Sequence, residues 1–63
     1  MFTHLDVTEI LNESPKAFEV KLTNGKKVWI PKLVIAYQQD YVEGDTNLTL
    51  SVQDWFCEKE KLP

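Results

Sequence analysis

Polar and apolar residues alternate along most of the chain, as half-buried strands require. The apolar positions are Leu5 and Val7; Phe18, Val20 and Leu22; Val28 and Ile30; Leu33, Ile35 and Tyr37; and Leu48 and Leu50. Turn-forming residues separate these runs. Ser14-Pro15 starts a turn, because proline fixes the backbone angle needed at the second turn position. "TNG" at 23–25 is a hairpin signal. Pro31 in "WIPK" lacks a ladder donor and interrupts a run, and "VEGDTN" at 42–47 closes the fourth segment. The pattern predicts five short strands, roughly 3–11, 17–22, 26–30, 33–38 and 47–50. From Ser51 the period changes, with Val52, Trp55, Phe56, Lys59 and Leu62 on one helical stripe. Ser51 as N-cap, Asp54 three residues on, and Leu50 stapled onto Trp55 predict a helix over roughly 52–61.

The expected fold is mainly β: a single small domain over 1–63, forming a five-stranded antiparallel barrel or a strongly bent sheet with one short C-terminal helix. Curling hides the edges of short strands, and the helix would cover an open end. A meander with the helix across one face is the alternative. At 63 residues the chain lies below the ~70 to 80 at which one core supplies comfortable stability. Its lone Cys57 excludes an intramolecular disulfide. Either the fold is regular or a partner surface completes it. The hydrophobic fraction of 43% is too high for a disordered chain.

Hairpin register decides where Trp29 points. A two-residue turn at Asn24-Gly25 would set Val20 opposite Trp29 and leave apolar residues on both faces. A three-residue turn with Gly25 left-handed pairs Val20 with Val28 and Phe18 with Ile30, gathering all four on one face. The second register is preferred, and it puts Trp29 on the outer face with Glu19, Lys21 and Lys27. A tryptophan among lysines there is an ordinary binding-surface composition. The competing reading has that face covered by the N-terminal strand or the helix, which makes Trp29 structural.

The net charge of −3 is unevenly spread. Residues 16–32 carry Lys16, Lys21, Lys26, Lys27 and Lys32 against Glu19, a balance of +4. Residues 33–63 carry Asp40, Glu43, Asp45, Asp54, Glu58 and Glu60 against Lys59 and Lys61, a balance of −4. The N-terminus has neither the basic start nor the apolar run of a signal peptide, and no stretch approaches a membrane span, so a cytoplasmic protein with no membrane partner is expected.

The succession of an apolar-alternating hairpin, "VWIPK", an acidic glycine turn and a strand leading into "DWFCEKEKL" resembles small uncharacterised proteins encoded by bacterial phages and prophages. In those, the hairpin is followed by Trp-Ile-Pro-Lys/Gln-Ser and a late Trp with Glu/Lys-rich residues and Leu. The likeness covers roughly residues 16–62, and Leu33 stands where that pattern has serine. The resemblance implies a phage-type accessory protein, working in the bacterial host cytoplasm, and supplies no reaction.

Candidate chemistry is sparse. His4 and Cys57 lie at opposite ends of the chain and would need an acid partner and an oxyanion site to make a nucleophile pair. His4 and Asp6 offer two metal ligands where a structural zinc site wants four. Asp40, Glu43 and Asp45 lack the spacing of a calcium loop. No enzyme activity, metal or cofactor is expected. Two functions remain. The first is a protein-binding inhibitor or modulator of a host or defence enzyme, with Asp40, Glu43, Asp45, Asp54, Glu58 and Glu60 entering a basic groove. The alternative is a single-stranded nucleic-acid binder using the basic 16–32 hairpin, with Trp29 stacking on bases and Lys21, Lys26, Lys27 and Lys32 on phosphates. The acidic body repels phosphate, which ranks the second below the first. A homodimer through an open strand edge is a third arrangement.

Overall fold

The computed structural model describes residues 1–62. Strand β1 (Phe2–Glu13) pairs antiparallel with β2 (Ala17–Leu22) on one side and β4 (Thr46–Gln53) on the other, and β3 (Lys27–Pro31) pairs with β2. The sheet order is β3-β2-β1-β4, and helix α1 (Asp54–Glu60) follows β4 directly. The protein is thus mainly β, with four antiparallel strands and one C-terminal helix.

The unequal spacing of Leu5, Val7 and Ile10 is resolved by bulges in β1. Its register against β2 slips between Val7 and Glu9 and again between Ile10 and Asn12, so Thr8 and Leu11 are extra residues. Each extra residue changes the phase of the side chains and bends the strand. Ile10 rather than Glu9 therefore enters the core with Leu5 and Val7. The same interior holds Phe18, Val20, Leu22, Ile30, Leu50 and Val52 from the other strands, with Phe56 and Cys57 from α1.

The β2–β3 hairpin has the three-residue register. Gly25 sits at φ +87°, its N–H donates to the Leu22 carbonyl at 2.9 Å, and Val20 faces Val28 while Phe18 faces Ile30. The Ser14 turn also forms: the Ala17 N–H donates to Ser14 Oγ at 3.0 Å and the Ser14 N–H to the Ala17 carbonyl at 2.8 Å.

Several expectations are corrected. No strand forms over 33–38, and the sheet does not close into a five-stranded barrel. Beyond Pro31 the chain makes a 3-10 turn at Lys32–Val34, a single bridge from Ile35 to Val52, a left-handed Tyr37 at φ 56° and a second 3-10 turn at Gln38–Asp40. Val34 and Ile35 are both buried, whereas Leu33 is 93% exposed. Two consecutive inward residues do not fit a strand, whose side chains alternate. The helix also starts later than expected, because Ser51, Val52 and Gln53 remain in β4. Leu50 is used in the sheet core, no side chain caps the helix, and Trp55 turns outward with 54% exposure. Its Nε1 donates to Gln53 Oε1 at 2.7 Å.

Candidate protein-interaction surface

Trp29 is 49% exposed on the outer face of β3, directly across from Glu19. Glu19 in turn accepts from Asn12 Nδ2 at 2.7 Å, so a polar row runs from β1 to the indole. Lys21 lies opposite Lys27 on β3 and opposite Glu9 on β1. The structure therefore brings Lys21, Lys27 and Trp29 together, with Glu9 and Glu19 among them. Lys32 is not part of this group. Its Nζ is 2.7 Å from Glu13 Oε2 and 4.8 Å from the centre of the Phe18 ring.

Five of the six acids separate into two groups at opposite ends of β1. Glu43 and Asp45 belong to the turn packed on its far end: the Gly44 N–H donates to the Ile10 carbonyl at 2.9 Å, and the Glu13 N–H donates to the Glu43 carboxylate at 3.0 Å. Asp45 Oδ2 accepts from the Val42 N–H within the turn. Asp40 lies just before it in the second 3-10 turn. Asp54, Glu58 and Glu60 are on α1, beside the start of β1, where Thr3 Oγ1 donates to Asp54 Oδ1 at 2.7 Å. Thr3 and Ile10 are separated by roughly 20 Å of extended strand.

A feature the sequence reading missed is a groove of about 540 Å³ lined by Pro15, Lys16, Pro31, Lys32, Leu33 and Gln38. Two prolines and the outward Leu33 supply apolar lining, which Lys16, Lys32 and Gln38 complete. Pro31 follows Trp29 by two residues on β3, so both side chains lie on one face about 7 Å apart along the strand. The missed signal was Pro31 itself, which ends the strand before Leu33 and frees that leucine from the core pattern.

The same strand is the edge of the sheet. Pairing with β2 places the backbone groups of Val28 and Ile30 in the ladder, between the Leu22–Lys26 bond at one end and the Lys32–Lys16 bond at the other. By the alternation of antiparallel ladders, the N–H and C=O of Lys27 and Trp29 point away from β2.

Other polar groupings lead to less. His4 Nδ1 lies 3.0 Å from Ser51 Oγ on the exposed face, but Asp6 Oδ1 accepts from Thr49 Oγ1 at 3.1 Å rather than orienting the imidazole. Cys57 is buried, and that burial pushes its thiol above the ordinary value of 9.0, which opposes thiolate chemistry. Among the described residues no three His, Cys, Asp or Glu side chains gather to hold a metal, and no helix is long and apolar enough to cross a membrane. The chain matches no known family model, no curated protein and no solved structure.

Proposed function

We propose that this chain is a small non-enzymatic protein-binding module, a phage-type accessory protein that acts in a bacterial cytoplasm by occupying a surface of a host or defence enzyme. The observation that carries this reading is the exposed apolar strip of Trp29, Pro31 and Leu33 beside the Pro15 groove. Solvating large apolar side chains is unfavourable, and a rigid aromatic beside an apolar pocket is the usual anchor of a protein interface. Strand pairing holds the Trp29 backbone in place, so little backbone entropy is lost there on binding.

The test is co-purification from bacterial lysate with the parent protein, Trp29→Ala and Leu33→Ser. A partner retained by the parent and reduced by both variants supports the reading. Retention that ignores both substitutions overturns it. The second reading, a single-stranded nucleic-acid binder, draws on the Lys21–Lys27 pair beside Trp29. Glu9 and Glu19 within that face weaken it, as does the absence of Lys32 from the group. Oligonucleotide binding that declines steeply with salt and with Trp29→Ala would replace the first reading by this one.

A further inference from the structure

Resting on the protein-binding reading, we infer that β3 takes up an acidic, extended peptide segment of its partner as an added strand. The segment pairs with the free backbone groups of Lys27 and Trp29 and lays apolar side chains toward the Pro15, Pro31 and Leu33 groove. Three observations point to this occupant. First, the edge N–H and C=O of Lys27 and Trp29 have no partner among the described residues, and an added strand satisfies such groups while pockets for alternate side chains give specificity. Second, the groove lies at the Pro31 end of the same edge, in line with a peptide running along β3. Third, the segment from Lys16 to Lys32 carries +4 in a chain of net −3, and Lys16, Lys21, Lys26 and Lys27 form no ion pair among the described residues.

That charge also selects among occupants. Lysine and proline on an edge strand oppose pairing between identical copies. Joining two β3 edges would bring two +4 segments together, which is repulsive, whereas a carboxylate-bearing strand is attracted to the same edge. A foreign acidic strand therefore fits where a second copy does not.

The probe is a blocked peptide of alternating Glu and Val, compared with its Lys and Val counterpart, titrated into the isotopically labelled full chain. The acidic peptide is expected to bind about tenfold tighter or better, a gap of ~1.4 kcal/mol. It should move the Lys27 and Trp29 amides most and slow their hydrogen exchange. Val28 and Ile30 amides, already bonded to β2, should keep their exchange rates. Lys27→Pro removes an edge donor that the fold does not use, so binding should fall while the remaining spectrum is preserved. Should that variant fail to fold, Lys16→Glu combined with Lys27→Glu tests the charge instead and should reverse the preference between the two peptides. Equal binding of both peptides, shifts centred on α1 or β1, or no binding at all would overturn the inference. Concentration-dependent shifts of the β3 amides without peptide would assign the edge to a second copy and overturn it as well. A partner still captured through Trp29 after such a result would leave the protein-binding reading standing.

Discussion

At Gly25 the backbone takes φ +87°, a conformation that costs an L-residue ~1 kcal/mol or more, yet open space surrounds the position where a Cβ would stand. Gly25→Ala should therefore lower stability by about 1 kcal/mol through backbone strain alone. A synthetic chain carrying D-alanine there should equal or exceed the parent, because the mirror-image residue favours positive φ and restricts the unfolded chain. Urea midpoints of the three proteins check this, and an equal loss from both alanines would point to sterics instead. The aromatic residues divide by the same kind of local reasoning. Phe18 is fully buried, so Phe18→Ala should cost ~3 to 5 kcal/mol, whereas Trp29→Ala and Trp55→Ala should each cost about 1 kcal/mol or less. Thermal or urea unfolding of the three variants gives the ranking; a Trp55→Ala loss comparable to that of Phe18→Ala would show the helix to be held by the indole. The face of the sheet on which Trp29 lies was legible from the sequence, since one hairpin register alone gathers four apolar residues on the other face. Whether another element covers the indole was not, and neither was the outward turn of Trp55. Its place on the helical stripe depended on a helix beginning at Val52, and a delay of two residues rotates a helix by more than half a turn.

Elements were readable where their signals were local and unreadable where tertiary pairing decided them. The hairpin carries its own turn, and the Ser14-Pro15 turn is closed by its own side chain. By contrast, β4 runs on to Gln53 because it pairs with Phe2 and Thr3 at the other end of the sequence. That pairing takes Ser51 and Val52 away from the helix. The region after Pro31 misled for a related reason. Leu33, Ile35 and Tyr37 alternate like a strand, but the buried pair is Val34 and Ile35, and Ile35 meets Val52 by a single bridge. The groove depends on that departure from strand geometry and was hidden with it. Short α1 ends with Lys61 left-handed at φ 54°, and the Leu62 N–H donates to the Cys57 carbonyl at 2.8 Å. This is the position where glycine usually terminates a helix. Lys61→Gly should accordingly stabilise the protein by ~0.5 to 1 kcal/mol. An unchanged or lower denaturation midpoint would show that the lysine side chain supplies a compensating interaction there.

In the whole molecule, one cluster joins three segments far apart in sequence. Glu13 ends β1, its carboxylate accepts from Lys32 Nζ at 2.7 Å beyond β3, and it also accepts from the Glu43 N–H at 3.3 Å in the turn before β4. The Glu43 carboxylate accepts in return from the Glu13 N–H. The cluster occupies the end of β1 away from α1 and ties the 42–45 turn to the segment that leads into the groove. The hydrogen bond from Lys32 is the largest influence holding the Glu13 carboxyl below its ordinary value of 4.5; partial desolvation opposes it. A carboxyl whose folded pKa is depressed binds protons more readily when the chain is unfolded. Its contribution to stability is therefore complete above the ordinary glutamate range and is lost as pH falls through the lowered folded value. The exposed setting keeps the contribution modest and sensitive to salt. Urea midpoints of the parent should exceed those of Glu13→Gln at neutral pH and low salt, and the gap should shrink as pH drops to about 3, because the variant lacks the titrating group. Lys32→Met should remove most of the same pH-dependent gap, since the ammonium is its main source. A gap that stays constant from neutral to acid would show that Glu13 acts through packing or neutral hydrogen bonding. A gap that survives in Lys32→Met would place the charge coupling elsewhere.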